Sequence, residues 1–298
     1  MNEELQVLQP MSLGDIIDEA LSLYRKNFIV FFGIAIIPGL ISAILMLLFV
    51  PEVSTPDSDF RSLTDQFTTT DAFNMIGRAS GVILISLLGA LFANVALVRA
   101  VSDRYLGREA SIASAYGFVL PRFLPYLGTI FVLCLLFFVA TLPAIIPILG
   151  LVATLVLYIL LGFMSVFVNE VFVIEDNRYF KAFQRSRELA RENWGRIFLL
   201  CLLWFAISLV MSLAAGLLVR SLFNEQEVLS TFTSEILKAI LLPIFFTSLV
   251  LLYFDIRVRK EGFDLQLLAD ELAARSAPSM RFPSNPTNPN GPTTGTGS

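Results

Sequence analysis

Charged and amide side chains inside apolar runs are the places where this chain could do chemistry, and they are few. Asn94 lies within one run, Asn169 and Glu170 close another, and Asp255 closes the last. An ionisable group in a membrane helix is a functional candidate by default, because its burial has to be offset by a partner, a ligand or a proton. Glu170 and Asp255 both fall near the ends of their runs, and Arg257 follows Asp255 closely. Each is therefore expected to make an interfacial polar pairing. No run carries the charge cluster of a proton-coupled pump.

A second candidate set is basic. Arg25, Lys26, Arg122, Lys181, Arg185, Arg187, Arg191, Arg257, Arg259 and Lys260 all flank apolar runs on one side. Such residues attract anionic phospholipid headgroups at about 1 kcal/mol each, so they are the candidate anionic-lipid contacts. Enzyme chemistry finds little footing. The chain has no histidine, which removes His-based catalysis and His metal sites. GxxxxGK[ST], GxSxG, HExxH and CxxC patterns are missing as well. The acidic pair Asp15/Glu19 has no neighbouring ligands and reads as a solvated face. Cys134 and Cys201 lie in apolar runs and read as small packing residues. No catalytic, metal or cofactor-binding residue is expected, and no cofactor.

The elements that position these residues follow from composition. Hydrophobic residues make up 56% of the 298 and charged residues 15%, against about 45–50% and 25% in soluble domains. That balance demands a membrane, and a net charge of −4 argues against a nucleic-acid partner. Spans of about 20 residues are expected at 28–50, 81–101, 123–142, 148–172, 196–219 and 236–256. The third and fourth are separated by TLPAIIPILG, whose prolines and glycine suit a turn. Glu3, Glu4, Asp15, Asp18 and Glu19 precede the first run, which does not suit a signal peptide.

Seventeen Lys and Arg fall in segments 1–27, 99–122, 173–196 and 257–298, and four in the segments between. The positive-inside rule then puts both termini in the cytoplasm. The acidic loop 51–80 lies outside, with room for an interfacial helix around Phe73 to Arg78.

The pattern repeats. Residues 12–28 place Leu13, Ile16, Ile17, Ala20, Leu21, Tyr24 and Phe28 on one helical face, and Ser12 with Asp15 forms a capping-box pattern. Residues 178–198 place Phe180, Phe183, Ala190, Trp194 and Phe198 opposite Lys181, Arg185, Glu188, Arg191 and Glu192. Residues 111–123 are a weaker copy. Each ends in a basic residue and then an aromatic, before an odd-numbered span. The even-numbered spans end in charged exits: Arg99 to Gly107, Glu170 to Asn177 and Asp255 to Gly262. The simplest account is three units, each an in-plane amphipathic helix followed by a helical hairpin. Residues 263–275 read as a further short amphipathic helix. The Pro/Asn/Gly/Thr-rich tail 276–298 reads as disordered, which leaves 1–275 as one integral membrane domain.

Two segments, MSLGDIIDEALSLYRKNFIVFFGIAIIPGLI at 11–41 and LLYFDIRVRKEGFDLQLLADEL at 251–272, resemble the ends of a bacterial family. It is named after the glycerophosphoryl diester phosphodiesterase membrane domain. The likeness runs from about Ser12 to Leu272 and is most specific at Asp255-Ile-Arg-Val-Arg-Lys-Glu-Gly-Phe-Asp264. In some relatives this domain precedes a soluble phosphodiesterase that uses metal-bound acids and catalytic histidines. Here the likeness covers the membrane part alone and no histidine is present, so the resemblance implies an anchor or regulator and carries over no catalytic residue.

The expectation is thus an all-α polytopic membrane bundle of six transmembrane helices in three hairpin repeats. It is multi-pass in a bacterial inner membrane, non-catalytic, and lipid-associated as an anchor, chaperone or regulator of membrane or envelope homeostasis. Its expected partners are membrane phospholipids and a membrane protein. The alternative is a transporter or permease subunit for a small amphiphilic solute.

Overall fold

The computed structural model describes residues 11–49, 69–223 and 227–262. Its elements are α1 (Leu13–Lys26), α2 (Phe28–Phe49), α3 (Thr69–Tyr105), α4 (Ile112–Val119), α5 (Phe123–Thr141), α6 (Leu149–Ser165), α7 (Val168–Ile174), α8 (Phe180–Ala190), α9 (Trp194–Phe223) and α10 (Glu227–Glu261). Six helical stretches are long and apolar enough to cross a membrane: α2, α3, α5 with its neighbours, α6 with α7, α9 and α10. The protein is a polytopic, all-helical membrane protein.

Over the described residues the expected spans fall within these helices, to within a residue or two at their ends, with two corrections. Residues Phe73 to Arg78 do not form a separate interfacial helix but the first turns of α3. The stretch from Thr69 to the expected span contains no proline, so nothing stops the helix from running back. The fourth span is not continuous. It breaks between Ser165 and Val168, and the Phe167 N–H is satisfied by donating to the buried Ser186 hydroxyl at 3.1 Å. Residues 1–10, most of loop 51–80, and the expected helix 263–275 and tail 276–298 lie outside the described residues.

The turn between α5 and α6 has the anticipated chemistry. A short 3-10 turn over Leu142–Ile145 carries Pro143, and Ile148 adopts a φ of 60°. A Cβ on Gly150 would meet the Pro143 carbonyl oxygen at 1.8 Å, so only glycine fits there.

Each even span leaves the bundle through a residue with positive φ: Gly107, Asp176 and Gly262. Such a left-handed residue ends a helix and redirects the chain. After the first two exits the chain forms an amphipathic helix that packs back on a hairpin. Helix α4 packs on α3 and α2, and α8 packs on α6, α7 and α5. At the third exit the corresponding place is taken by α1, which packs on α10. The three units therefore close into a ring, with the first helix docked on the last.

Close approach at these junctions is built from small residues. A Cβ on Gly33 of α2 would lie 2.5 Å from Ile112 at the start of α4, and one on Gly128 of α5 would lie 2.5 Å from the ring of Tyr179, which caps α8. Both glycines stand at the same offset in their spans. Pro38, which lacks an N–H, leaves the Ile34 carbonyl without its helical partner. The Tyr116 hydroxyl of α4 donates to that carbonyl at 2.8 Å, so the neighbouring unit satisfies the group that Pro38 leaves open.

The buried core gathers at the end where these helices dock. It contains Ile16, Ala20 and Tyr24 of α1, Val95, Leu97 and Val98 of α3, Phe167, Val171 and Phe172, Leu189 of α8, and Leu249 to Phe254 with Ile256 of α10. At the other end, residues such as Ile145, Leu149, Leu155, Val210 and Leu217 stay exposed. In a membrane that surface meets lipid tails.

Candidate functional site

The docking end carries its polar side chains in networks, one at each junction. Asp255 of α10 has a fully buried side chain. It accepts from the Met11 N–H at 2.6 Å, from Arg196 of α9, and from Arg259 one turn on at 3.0 Å. Arg196 and Arg259 each donate to the Met11 carbonyl at 2.8 Å. One carboxylate and two guanidinium groups thus grip both backbone groups of the residue before the α1 N-cap. The cap itself is the expected box: the Ser12 hydroxyl accepts from the Asp15 N–H and the Asp15 carboxylate from the Ser12 N–H. Those hydrogen bonds hold the Asp15 carboxyl below its ordinary range.

The second network joins the exit of α7 to α8 and α10. Arg185 donates through Nε to Glu175 at 2.8 Å and through a terminal nitrogen to Glu261. The Tyr253 hydroxyl donates to Glu175 at 2.8 Å and Arg257 to Glu261 at 3.1 Å. Burial works against the Arg185 cation, but the bonds to Glu175 and Glu261 outweigh it and hold the guanidinium more firmly protonated than usual. The third network is at the α3 exit. Arg99 and Arg108 pair with Asp103 at 2.7 and 3.8 Å, and Arg104 donates to the Ala110 carbonyl at 2.8 Å.

These contacts divide the candidate lipid contacts into two groups. Arg185, Arg257 and Arg259 are committed to internal carboxylates. Lys260 donates to the Glu188 carbonyl at 3.0 Å and pairs with Glu192 at 3.2 Å. Arg122 lies 4.2 Å over the Phe118 ring. Arg25, Lys26, Lys181, Arg187 and Arg191 are exposed and make no ion pair among the described residues. Beside them Phe28, Tyr179 and Phe180 are each about half exposed, the position of interfacial aromatic anchors.

The pairing expected of Asp255 is present, whereas Glu170 departs from expectation. Its side chain is fully buried and neither oxygen has a hydrogen-bond partner. It lies in α7, after the break, where Val168, Val171, Phe172 and Val173 are buried as well. Its neighbour Asn169 is the one bonded, accepting from the Tyr126 hydroxyl at 2.8 Å. The stripe on α8 also differs from expectation: Ala182, Phe183, Ser186, Leu189 and Ala190 are buried, while Phe180 and Phe198 face outward. The chain turns between Ala190 and Trp194, so 178–198 is not one continuous helical face. Among the described residues no three His, Cys, Asp or Glu side chains come together as a metal site.

A cavity of about 450 Å³ opens at the other end of the bundle, between α2, α3 and α10. Its walls include Pro38, Ala43, Val82, Ala93 and Leu242, and its polar lining is Ser42, Ser86, Asn94, Glu235 and Lys238. The hydrophobicity pattern gave no sign of it, since its walls are ordinary span residues.

The family whose model matches the chain is a domain of unknown function, DUF7847, over residues 11–257. The chain belongs to that family. No curated protein and no solved structure matches it.

Proposed function

Taking that membership as the premise, we propose that this protein is a non-catalytic membrane component that holds anionic phospholipid around its docking end, as an anchor or regulator in envelope homeostasis. The observation that carries this reading is the division of the basic residues. Where guanidinium groups are needed to join units, acidic partners neutralise them. Arg25, Lys26, Lys181, Arg187 and Arg191 are left exposed beside aromatic anchors, the arrangement that attracts anionic headgroups. The excess of Lys and Arg at that end supports a cytoplasmic orientation for it, in the reading of a bacterial inner-membrane protein. The resemblance to the glycerophosphoryl diester phosphodiesterase membrane domain supports the same anchoring role, and a membrane-protein partner fits it.

The test uses the full chain in nanodiscs of mixed phosphatidylethanolamine and phosphatidylglycerol, released gently for native mass spectrometry. Changing Lys181, Arg187 and Arg191 to Gln is expected to lower phosphatidylglycerol retention at least tenfold, at about 1 kcal/mol per residue. Unaltered retention overturns the reading. The permease alternative draws on the cavity, whose mostly apolar lining suits a hydrocarbon chain better than a hydrated path.

A further inference from the structure

The apolar run of α3 fixes a depth scale for the bundle. Twenty uncharged residues, Ala79 to Val98, lie between Arg78 and Arg99. At 1.5 Å per residue they cover about 30 Å, the thickness of a hydrocarbon core, and their middle falls at Leu88 and Gly89. Helix α2 has its own middle at Pro38 and Gly39. The two middles touch, since a Cβ on Gly89 would lie 3.3 Å from the Pro38 side chain.

Helix α10 runs beside them out of step. Phe254 packs its ring on Tyr105 of α3, with centroids 5.2 Å apart. Both helices run toward the docking end, so counting back from that contact brings Leu237 and Lys238 level with Leu88 and Gly89. A second contact agrees: a Cβ on Gly39 would meet Glu235 Oε2 at 2.8 Å. Glu235 and Lys238 look like the edge of the last span by hydropathy, yet they stand at the middle of the membrane. The apolar stretch after them, Ala239 to Phe254, runs on into the docking end, where protein covers it.

An ion pair at that depth is expensive, and two apolar residues would pack there without the cost. This pair lines the cavity between α2, α3 and α10. Lys238 meets Glu235 at 2.6 Å, with the lysine well exposed and the glutamate largely covered. The cavity follows α3 from Val82 to Leu97, most of the apolar run. Its volume of about 450 Å³ falls in the ordinary range of ligand sites, about 300–1,000 Å³. Ser86 and Asn94 line it on either side of the level of the pair, and neither makes a hydrogen bond among the described residues. Much of the remaining wall is alanine: Ala35, Ala90, Ala93 and Ala239.

We propose that this cavity binds a small zwitterion with an apolar side group, of the α-amino acid type, at the middle of the membrane. Its ammonium meets Glu235 and its carboxylate meets Lys238, which exchanges one internal ion pair for two intermolecular ones. The side group lies against the alanine walls. Charge balance selects this class. The pair is neutral as a unit, so a singly charged guest would leave a net charge in the bilayer interior, at high cost. A zwitterion brings none, and a wholly apolar guest has no use for the pair. Phospholipid headgroups lie about 15 Å away, beyond the hydrocarbon core. The site is independent of the anionic-lipid boundary at the docking end.

The test is binding of tritiated L-leucine and L-phenylalanine to the full chain in nanodiscs of phosphatidylglycerol alone, which offer no other zwitterion. Wild-type protein is expected to bind at least one of the two saturably, at one per chain. 4-Methylpentanoate lacks the ammonium and 3-methylbutylamine lacks the carboxylate. Each should compete at least about tenfold more weakly than leucine, the effect of one charge-assisted contact. Glu235→Gln and Lys238→Gln should each weaken binding by about the same factor. Ala90→Leu, which fills the cavity with both charges intact, should abolish it. The Lys181/Arg187/Arg191 glutamine variant should bind like wild type, so failure here is distinct from failure of the boundary reading. Absence of saturable binding to the wild-type protein overturns the proposal. Equal competition by either singly charged analogue also overturns it, and so does binding indifferent to both Glu235→Gln and Ala90→Leu.

Discussion

Helices α9 and α10 form one hairpin and look alike by hydropathy, yet they live in different surroundings. The most apolar window of the α9 span, with mean hydropathy 2.6, is 17% buried, whereas that of the α10 span, at 2.2, is 61% buried. The less apolar helix is the one at the centre. In water the order would be reversed. In a bilayer lipid tails solvate Leu and Phe as well as a protein core does, so burial selects helices that bring close packing and hydrogen bonds. Helix α10 supplies both. Thr247 and Ser248 are buried and return their hydroxyls to the Pro243 and Ile244 carbonyls, and Asp255 anchors the ring closure.

Substitutions along the two helices can break or sharpen this contrast. Phe254 of α10 is fully buried beside Tyr105, and Phe254→Ala should cost about 4 kcal/mol through the cavity it leaves, read by unfolding in mixed micelles. Asp255→Ala strands two guanidinium groups and the Met11 N–H and should cost about 3 kcal/mol. It should also release α1, seen as new protease sensitivity near the N-terminus. Ser12→Ala removes half of the capping box and should cost about 1 kcal/mol.

The same cap predicts a pH effect. The Asp15 carboxyl is held below its ordinary range, so its contribution is present above the unfolded carboxyl value. It is lost as pH falls through the lower folded value. Protection of the Ser12 amide against exchange, relative to its intrinsic rate, should fall in that acid range, and in Asp15→Ala it should be low at every pH. The smallest effect belongs to α9. Val210 faces lipid, and Val210→Ala should change stability by less than about 0.5 kcal/mol. A cost near that of Phe254→Ala would mean that another surface covers α9.

Much of the fold was legible in the sequence, because span length and the Ser12/Asp15 cap are local properties. The errors fall where local signals are silent. TTDAFNMIGRAS is polar enough to resemble a loop, but without proline it extends α3. The break before Val168 leaves hydropathy unchanged, and the burial of Glu170 had no signature. The sites were less legible still. Arg185 reads as a solvated charge until Glu175 and Glu261 are brought to it from other elements. The grip on Met11 joins residues 244 positions apart. The matching offset of Gly33 and Gly128 was the sequence signal of the junctions that went unread.

Ring closure also has a consequence in time. During synthesis α1 emerges early, but its clamp requires Arg196, Asp255 and Arg259. At about 5–20 residues per second, the ribosome needs roughly 10–50 s to supply them. Through that interval α1 lacks its main docking surface, α10, and its apolar face has the membrane surface as a temporary partner. The amphipathic character of α1 therefore serves twice: first as a holding place at the interface, and later as the face that docks on α10 when the last helix arrives.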